Sequence, residues 1–545
     1  MINFARLYTE LDAQTATNAK LAALKRYFAS AAPADAAWAV YFLSGGKPRQ
    51  TVPTRLLREI ATRAAGLPDW LFEESYQAVG DLAETIAHVL PAGHGVDTTG
   101  LAEWIEERLL PLRGLVPAEV ETRLTGYWST LDWQGRFLLT KLIGGGFRVG
   151  VSKLLVTRAL AEHAGLDPKL VAQRMMGYTD AASAPTAARF ARLVTQDAGG
   201  GEVGAPFPFF LAHPLTDLAA LGATGDWQVE WKYDGIRAQV VRRAAQTWIW
   251  SRGEELVTER FPEIVTACAG LPDGTVLDGE ILVWQPGAQG QGMPAPFALL
   301  QQRIGRKMLT RKILADAPLV FLAYDLLEID AQDLRDQTQA ARRRQLESLF
   351  AARAHPQLLL SPLVQAADWD GYAKLRAESR ERGVEGLMLK QRQSTYGSGR
   401  TRASGLWWKW KIDPLTVDCV LIYAQAGHGR RASLYTDYTF AVWSGSGAAR
   451  ILVPFAKAYS GLSDEEFRAV DAVIRKTTIE KFGPVRSVTP SLVFELGFEG
   501  IQKSPRHKSG IAVRFPRMLR LRSDKRVDEA DTLERLHEML AMTAG

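Results

Sequence analysis

Lys232 lies in the segment Glu230-Trp-Lys-Tyr-Asp-Gly-Ile-Arg237, directly after a run of β type. A lysine on a short turn between strands, held by a glycine, presents one amine at a fixed point. Such an amine attacks an electrophile and holds it covalently, provided that it is unprotonated. Taken alone, Lys-x-Asp-Gly arises by chance and is usually an ordinary turn. Its company changes that reading. Ser251-Arg-Gly-Glu254, Leu277-Asp-Gly-Glu-Ile281, Phe321-Leu-Ala-Tyr-Asp-Leu326, Glu385-Gly-Leu-Met-Leu-Lys390 and Trp407-Trp-Lys-Trp-Lys411 follow in that order. Carboxylates, cations and an aromatic ring thus recur at intervals behind the one amine.

The elements around these residues must position them. The runs 227–230, 239–241, 247–250, 276–283, 320–324 and 386–390 are short and rich in β-forming side chains. Helical stretches at 339–350 and 369–382 separate some of them, so residues 206–412 read as an α+β domain. Runs at 417–424, 438–443, 450–454 and 492–496, with a helix at 463–476, predict a small C-terminal β-barrel over 413–526. Residues 527–545 read as one terminal helix. Residues 1–200 read as an all-α domain. Leu21, Ala22, Leu24, Tyr27 and Phe28 recur at helical spacing, Ser152 caps a helix over 153–163 that stops at Gly165, and Asp167-Pro168 opens another. The glycine-rich stretch 197–206 reads as a linker.

Composition bounds the rest. A chain of 545 residues, 47% hydrophobic and 23% charged, is long enough for several globular domains. No apolar run approaches the ~20 residues that span a bilayer, and the N-terminus MINFARLYTELDAQ has no apolar signal stretch. A cytoplasmic protein, with no membrane partner, is expected. Two cysteines, Cys268 and Cys419, exclude a disulfide framework and a four-cysteine zinc site. The net charge of +6 permits a nucleic-acid partner without showing one. Its distribution says more: residues 390–411 hold six basic residues and no acid, and 503–526 hold nine and one. Basic runs interleaved with Trp, Phe and Gly favour an anionic partner.

In order and spacing, the quoted segments resemble the motifs of the covalent nucleotidyltransferases, namely DNA ligases, RNA ligases and mRNA capping enzymes. Arg514-Phe-Pro-Arg-Met-Leu-Arg-Leu-Arg-Ser-Asp-Lys525 is similar to the last motif of that set. The resemblance implies that Lys232 attacks the α-phosphate of ATP and carries AMP. A free lysine titrates near 10.4, roughly three units above working pH, so freeing the amine costs about 4 kcal/mol. Lys409, Lys411 and a divalent metal would lower that cost and offset phosphate charge. Glu280 and Glu385 are hard oxygen ligands suited to Mg2+, and Glu280 also counts among the nucleotide contacts. By the same resemblance Glu230 accepts from the adenine amino group, Trp231 is a further nucleotide contact, and Tyr324 and Met388 sandwich the purine. Arg237 and Arg252 meet the ribose and later a 5′-phosphate. Arg522 and Lys525 close over the β- and γ-phosphates.

Among these families the ATP-dependent DNA ligases fit best. NAD-dependent ligases resemble proteins with a four-cysteine module, capping enzymes lack a helical N-terminal domain of this size, and RNA ligases usually lack the barrel. Leu138-Leu-Thr-Lys-Leu-Ile-Gly-Gly-Gly-Phe-Arg-Val-Gly-Val-Ser152 resembles the DNA-binding domain of larger ATP-dependent ligases. Physically it is a glycine-rich turn between helices, where backbone amides and a helix N-terminus can meet phosphates. Gly145, Gly146 and Arg148 are therefore expected on DNA, as are Gln301 and Arg303 in Phe297-Ala-Leu-Leu-Gln-Gln-Arg303. The expected fold is an all-α domain, an α+β adenylation domain and a C-terminal OB-fold. The expected activity is sealing of nicks in duplex DNA by a monomer. A capping-type guanylyltransferase and an end-binding scaffold without catalysis stand as alternatives.

Overall fold

The computed structural model describes residues 1–93, 97–144, 147, 149–180, 184–196, 203–286, 292–306, 308–400, 406–427 and 434–543. The chain forms two compact units. One comprises Met1–Thr51, Asp97–Gly114 and Gly145–Ile412, the other Val52–Val96, Leu115–Gly144 and Asp413–Gly545. No helix among the described residues is long and apolar enough to cross a membrane.

Ahead of residue 196 the described regular elements are helices. On Thr17–Ser30 the residues Leu21, Leu24, Tyr27 and Phe28 are buried at the spacing of one face. Ser152 accepts a hydrogen bond from Leu155 N–H and opens Lys153–Ala164, which Gly165 ends in a left-handed turn at φ 66°. Asp167 caps Pro168–Arg174 in the same way.

The first unit then carries two sheets. Strands β1 (Trp227–Trp231), β2 (Ile236–Arg243), β3 (Gln246–Ser251), β4 (Thr275–Pro286), β5 (Leu319–Ile329), β6 (Gly386–Gln391) and β7 (Trp407–Lys411) are the ones that matter for the site. One sheet runs His213–Pro214, β7, β6, β1, and the other runs β3, β2, β4, β5 to a short outer strand. Every strand expected in this region is present. The helix expected at 369–382 stops at Ala377, and the chain continues through turns to Gly383, which is left-handed at φ 66°. The helices Pro262–Cys268, Phe297–Ile304 and Gln339–Ala352 cover the outer face of the second sheet, with Phe321, Leu277 and Ile264 in that core. A second cluster joins the two sheets: Val241, Val276 and Leu327 from one, Trp407 from the other, with Phe207, Phe210 and Tyr396 between, and Tyr324 and Met388 at its margin.

In the second unit a seven-stranded sheet is built around Leu415–Ala426, which pairs with Tyr435–Ser444, Val485–Val488 and Val493–Phe498. The helix Asp464–Thr477 is opened by a reciprocal cap between Ser463 and Glu466 and lays Phe467, Val470 and Ile474 on the core. The last helix, Leu533–Thr543, buries Leu536, Met539 and Leu540 in that same core, so the tail is part of the packing.

Candidate active site

Strand alternation decides which side chains meet. Glu230 on β1 pairs with Met388 on β6, which pairs with Lys409 on β7. Gly386 stands opposite Lys411, and Lys390 opposite both Gln228 and Trp407. Side chains point alternately to the two faces, so Gln228, Glu230, Met388, Lys390, Trp407, Lys409 and Lys411 share one face. Val229, Trp231, Leu387, Leu389, Trp408 and Trp410 share the other, packed with Leu221 and Tyr372. The side chain of Trp231 is therefore not brought to the face that holds the other expected residues, and the Arg382 guanidinium lies over its ring at 5.0 Å.

Lys232 continues that face at the end of β1. Its N–H donates to Gly386 O at 2.8 Å, and Glu385 N–H donates to Lys232 O at 2.7 Å, so its backbone is clamped on both sides. Two glycines make the clamp possible. A Cβ at Gly235 would come within 2.4 Å of Ile281 O, and one at Gly386, where φ is 129°, within 2.2 Å of Trp410 O. The Lys232 amine donates to the Glu385 carboxylate, and Lys411 Nζ lies 3.6 Å from the same group. Burial holds the Lys409 amine below its ordinary range, reinforced by Lys411, Lys232, Arg400 and Arg252 in turn. Five cations thus converge where a polyanion would be neutralised.

On β2, Arg237 makes a two-pronged pair with Asp278, with Nε to Oδ1 at 3.1 Å and Nη2 to Oδ2 at 2.7 Å, and also donates to Phe210 O at 2.6 Å. The Tyr396 hydroxyl donates to the same fully buried carboxylate at 2.6 Å. Glu280, paired across strands with Arg237, is pushed up to about 8 by burial, which Lys232 and Arg237 oppose and Asp278 and Asp234 reinforce. Lys390 donates to Glu230 Oε1 at 2.9 Å and to Tyr324 O at 3.0 Å, while Gln228 donates to Glu230 Oε1 at 2.6 Å. Tyr324 stands edge-on to Trp407. The Arg252 backbone N–H donates to Arg237 O at 2.9 Å, and its side chain is exposed.

Asp278, Lys390 and Tyr396 were not singled out as site residues. The first two lie inside segments that were, so their places next to Glu280 and Met388 were the available signal. Tyr396 lies in none of them, and only the tertiary structure reveals it.

Gly145, Gly146 and Arg148 lie outside the described residues. Beside them, the Phe147 ring packs 4.8 Å from Phe42, and Lys20 Nζ donates to Val149 O at 2.6 Å. Gln301 is exposed on Phe297–Ile304. Arg303 is fully buried, with two 2.7 Å bonds to Glu263 and one of 3.0 Å to Ala317 O. A guanidinium so enclosed is a structural anchor, which corrects its expected place on a DNA-facing surface. In the second unit, Asp418 holds both cations of the last motif: Arg522 Nη1 lies 3.0 and 2.8 Å from its oxygens, and Lys525 Nζ lies 2.5 Å away.

Three family models match the chain in order: the DNA ligase N terminus over residues 1–161, the ATP-dependent DNA ligase domain over 210–411 and the ATP-dependent DNA ligase C-terminal region over 431–525. A probable DNA ligase of Koribacter versatilis is 30% identical over 550 residues, covering 95% of this chain and 93% of its own length. A DNA ligase of Natronomonas pharaonis is 33% identical over 407 residues, covering 74% and 71%. A solved structure named Pmar-Lig_Pre has a TM-score of 0.62 over 95% of this chain and 99% of its own, at 14% identity, a likeness of fold alone.

Proposed function

The chain belongs to the ATP-dependent DNA ligases, and from that premise we propose that Lys232 is the residue that carries AMP from ATP to DNA. The observation that carries this reading is the single face on which Lys232, Glu230, Met388, Lys409 and Lys411 converge. The Lys232 amine attacks the α-phosphorus. A P–N bond forms, the bond to the bridging oxygen breaks, and pyrophosphate leaves. A 5′-phosphate of DNA then takes the AMP, and the neighbouring 3′-hydroxyl attacks that phosphate and expels AMP.

The remaining side chains divide the work. Both hydrogen bonds to Glu230 fall on Oε1, which leaves acceptor capacity on Oε2 for the adenine amino group. Tyr324 and Met388 come from different sheets and both pack against the Trp407 cluster, which suits them to the two sides of a purine. Lys409 and Lys411 meet the phosphates, and Arg237 and Arg252 the ribose and then the 5′-phosphate. Glu280 and Glu385 both face Lys232. No group of three or more potential ligands occurs among the described residues, and two carboxylates suit Mg2+, which keeps several waters. When bound, the ion neutralises charge on the phosphates. We assign residues 1–200 to a helical DNA-binding domain, 206–412 to adenylation, 413–526 to an OB-fold and 527–545 to a helical tail. The monomer grips nicked duplex through Gln301, Gly145, Gly146 and Arg148.

Incubation with labelled ATP, GTP or NAD followed by denaturing electrophoresis tests the reading. A covalent band with ATP alone is expected. A band with GTP alone assigns a capping-type activity instead, and no band with any of the three overturns the lysine assignment.

Glu280 gives a pH prediction. Its carboxyl is raised from an ordinary 4.5 to about 8 in the folded protein. The folded state therefore holds the extra proton between those values. The stabilisation is complete below about 4.5 and is lost as pH rises through about 8. Without metal, the melting temperature should fall between about pH 5 and pH 8, and Glu280→Gln should flatten that fall. Equal slopes in both proteins would show that another group sets it.

A further inference from the structure

The turn that presents Arg252 is held from outside the nucleotide site. Glu254 N–H donates to Ser251 O at 2.8 Å and Ser251 N–H to Glu255 O at 3.0 Å, so residues 251–255 close tightly. Glu254 sits at φ 64°, a left-handed conformation that disfavours any residue with a Cβ. Something must keep it there. Its carboxylate is bonded to the Lys153 amine, and the two side chains are 19% and 25% exposed. Lys153 is fixed in turn. It is the first residue of Lys153–Ala164, directly behind the Ser152 cap, and its amine also donates to Met175 O at 2.9 Å. Burial lowers the Lys153 amine and Glu254 draws it back up.

The contact is not isolated. A Cβ on Gly177 would come within 2.9 Å of the Trp250 indole, at the end of the strand from which the turn departs. Residues 152–178 therefore press against both the strand end and the turn. A nearby bridge of similar sign, Lys169–Asp336, is 62% and 83% exposed and is screened by salt. The Lys153–Glu254 pair is enclosed and is not.

We propose that Lys153 and Glu254 are a positioning pair that sets Arg252 for the 5′-phosphate, so that AMP transfer to DNA depends on a lysine of the N-terminal segment. The inference rests on the reading of Arg252 as a phosphate contact. Arg252 stands at the tip of the turn, and its backbone is tied on one side to Arg237 O. The other side runs through Glu254 into the closure between Ser251 and Glu255. Released from Lys153, Glu254 leaves its left-handed conformation and the tip moves with it. A displacement of about an ångström at a phosphate contact slows a group transfer by tenfold to a hundredfold. Formation of the Lys232 adduct rests mainly on β1, β6 and β7, with Arg252 meeting only the ribose, and is slowed less.

The test uses the full chain and measures two rates separately: adduct formation from ATP, and AMP transfer from the preformed adduct to a nicked duplex. Glu254→Ala is the informative variant, because it removes the carboxylate and keeps the Cβ that disfavours the left-handed conformation, whereas Glu254→Gly accepts that conformation without strain. A pair that merely stabilised the fold would leave both at wild-type transfer rate. The expected result for Glu254→Ala is transfer slowed about tenfold or more with adduct formation slowed less, and for Glu254→Gly a transfer rate nearer to wild type. Lys153→Met should behave like Glu254→Ala, and Lys153→Arg, which keeps the charge and donors, should recover most of the rate. Wild-type transfer in Glu254→Ala and Lys153→Met, beside slow transfer in Arg252→Ala, overturns the positioning pair and leaves the role of Arg252 standing. Wild-type transfer in Arg252→Ala removes the reading of Arg252 and the inference with it.

Discussion

Lys232→Ala is expected to yield no covalent AMP adduct and to lower sealing of an ordinary nick at least about a thousandfold. The effect is that large because no other group on this face replaces a nucleophile. Lys409 and Lys411 are near, but the β-strand register fixes both backbones on β7, two strands away. Folding should survive. The lysine side chain is 20% exposed, and Glu385 keeps Lys411 at 3.6 Å as a counter-charge. Lys232→Arg separates charge from nucleophilicity. It keeps a cation beside Glu385 but is never deprotonated under working conditions, so it should form no adduct either. Both variants should still seal a nick that already carries AMP, since that step needs no lysine nucleophile. The measurement is labelled-ATP adduct formation with peptide mapping. An AMP mapped to any other lysine in the wild-type protein would refute the assignment.

Much of this site was legible before any coordinates, for a physical reason. A strand has a period of two, so a segment such as Glu385-Gly-Leu-Met-Leu-Lys390 announces that Gly386, Met388 and Lys390 share a face. The same rule places Trp231 on the face opposite Glu230, so that misplacement was avoidable. Arg303 was not so accessible. Its partner Glu263 lies on a different helix, and nothing local distinguishes an arginine that reaches DNA from one that ties two helices together. Tyr396 is hidden for the same reason, since its bond to Asp278 ties the loop after β6 to β4. The helix expected at 369–382 ends at Ala377 although helix-forming residues continue through 378–382, which form turns instead. Periodic and local features survive in sequence. Pairings between distant segments do not.

The last motif carries the second large expected effect. Arg522→Ala and Lys525→Ala should each slow formation of the Lys232 adduct by about a hundredfold, while sealing of a pre-adenylated nick falls much less. Both cations sit on one carboxylate, Asp418, whose side chain is 10% exposed. Asp524 accepts three further bonds from Arg522, at 2.8, 3.2 and 2.7 Å. Held this way, the two side chains are preorganised as a pair, and a polyphosphate competes with Asp418 for them. Pyrophosphate is a leaving group only in the first step, so cations that neutralise it act in that step alone. Removing either one leaves Asp418 with the other, which keeps the buried carboxylate paired and the unit folded. Loss of rate with an unchanged melting temperature therefore reports on chemistry. Rates of adduct formation and of pre-adenylated nick sealing, measured on the same preparations, decide the matter. Equal losses in both would place Arg522 and Lys525 in a phosphate site common to all the steps, because only a contact with the departing pyrophosphate can be indispensable to the first step and idle in the last.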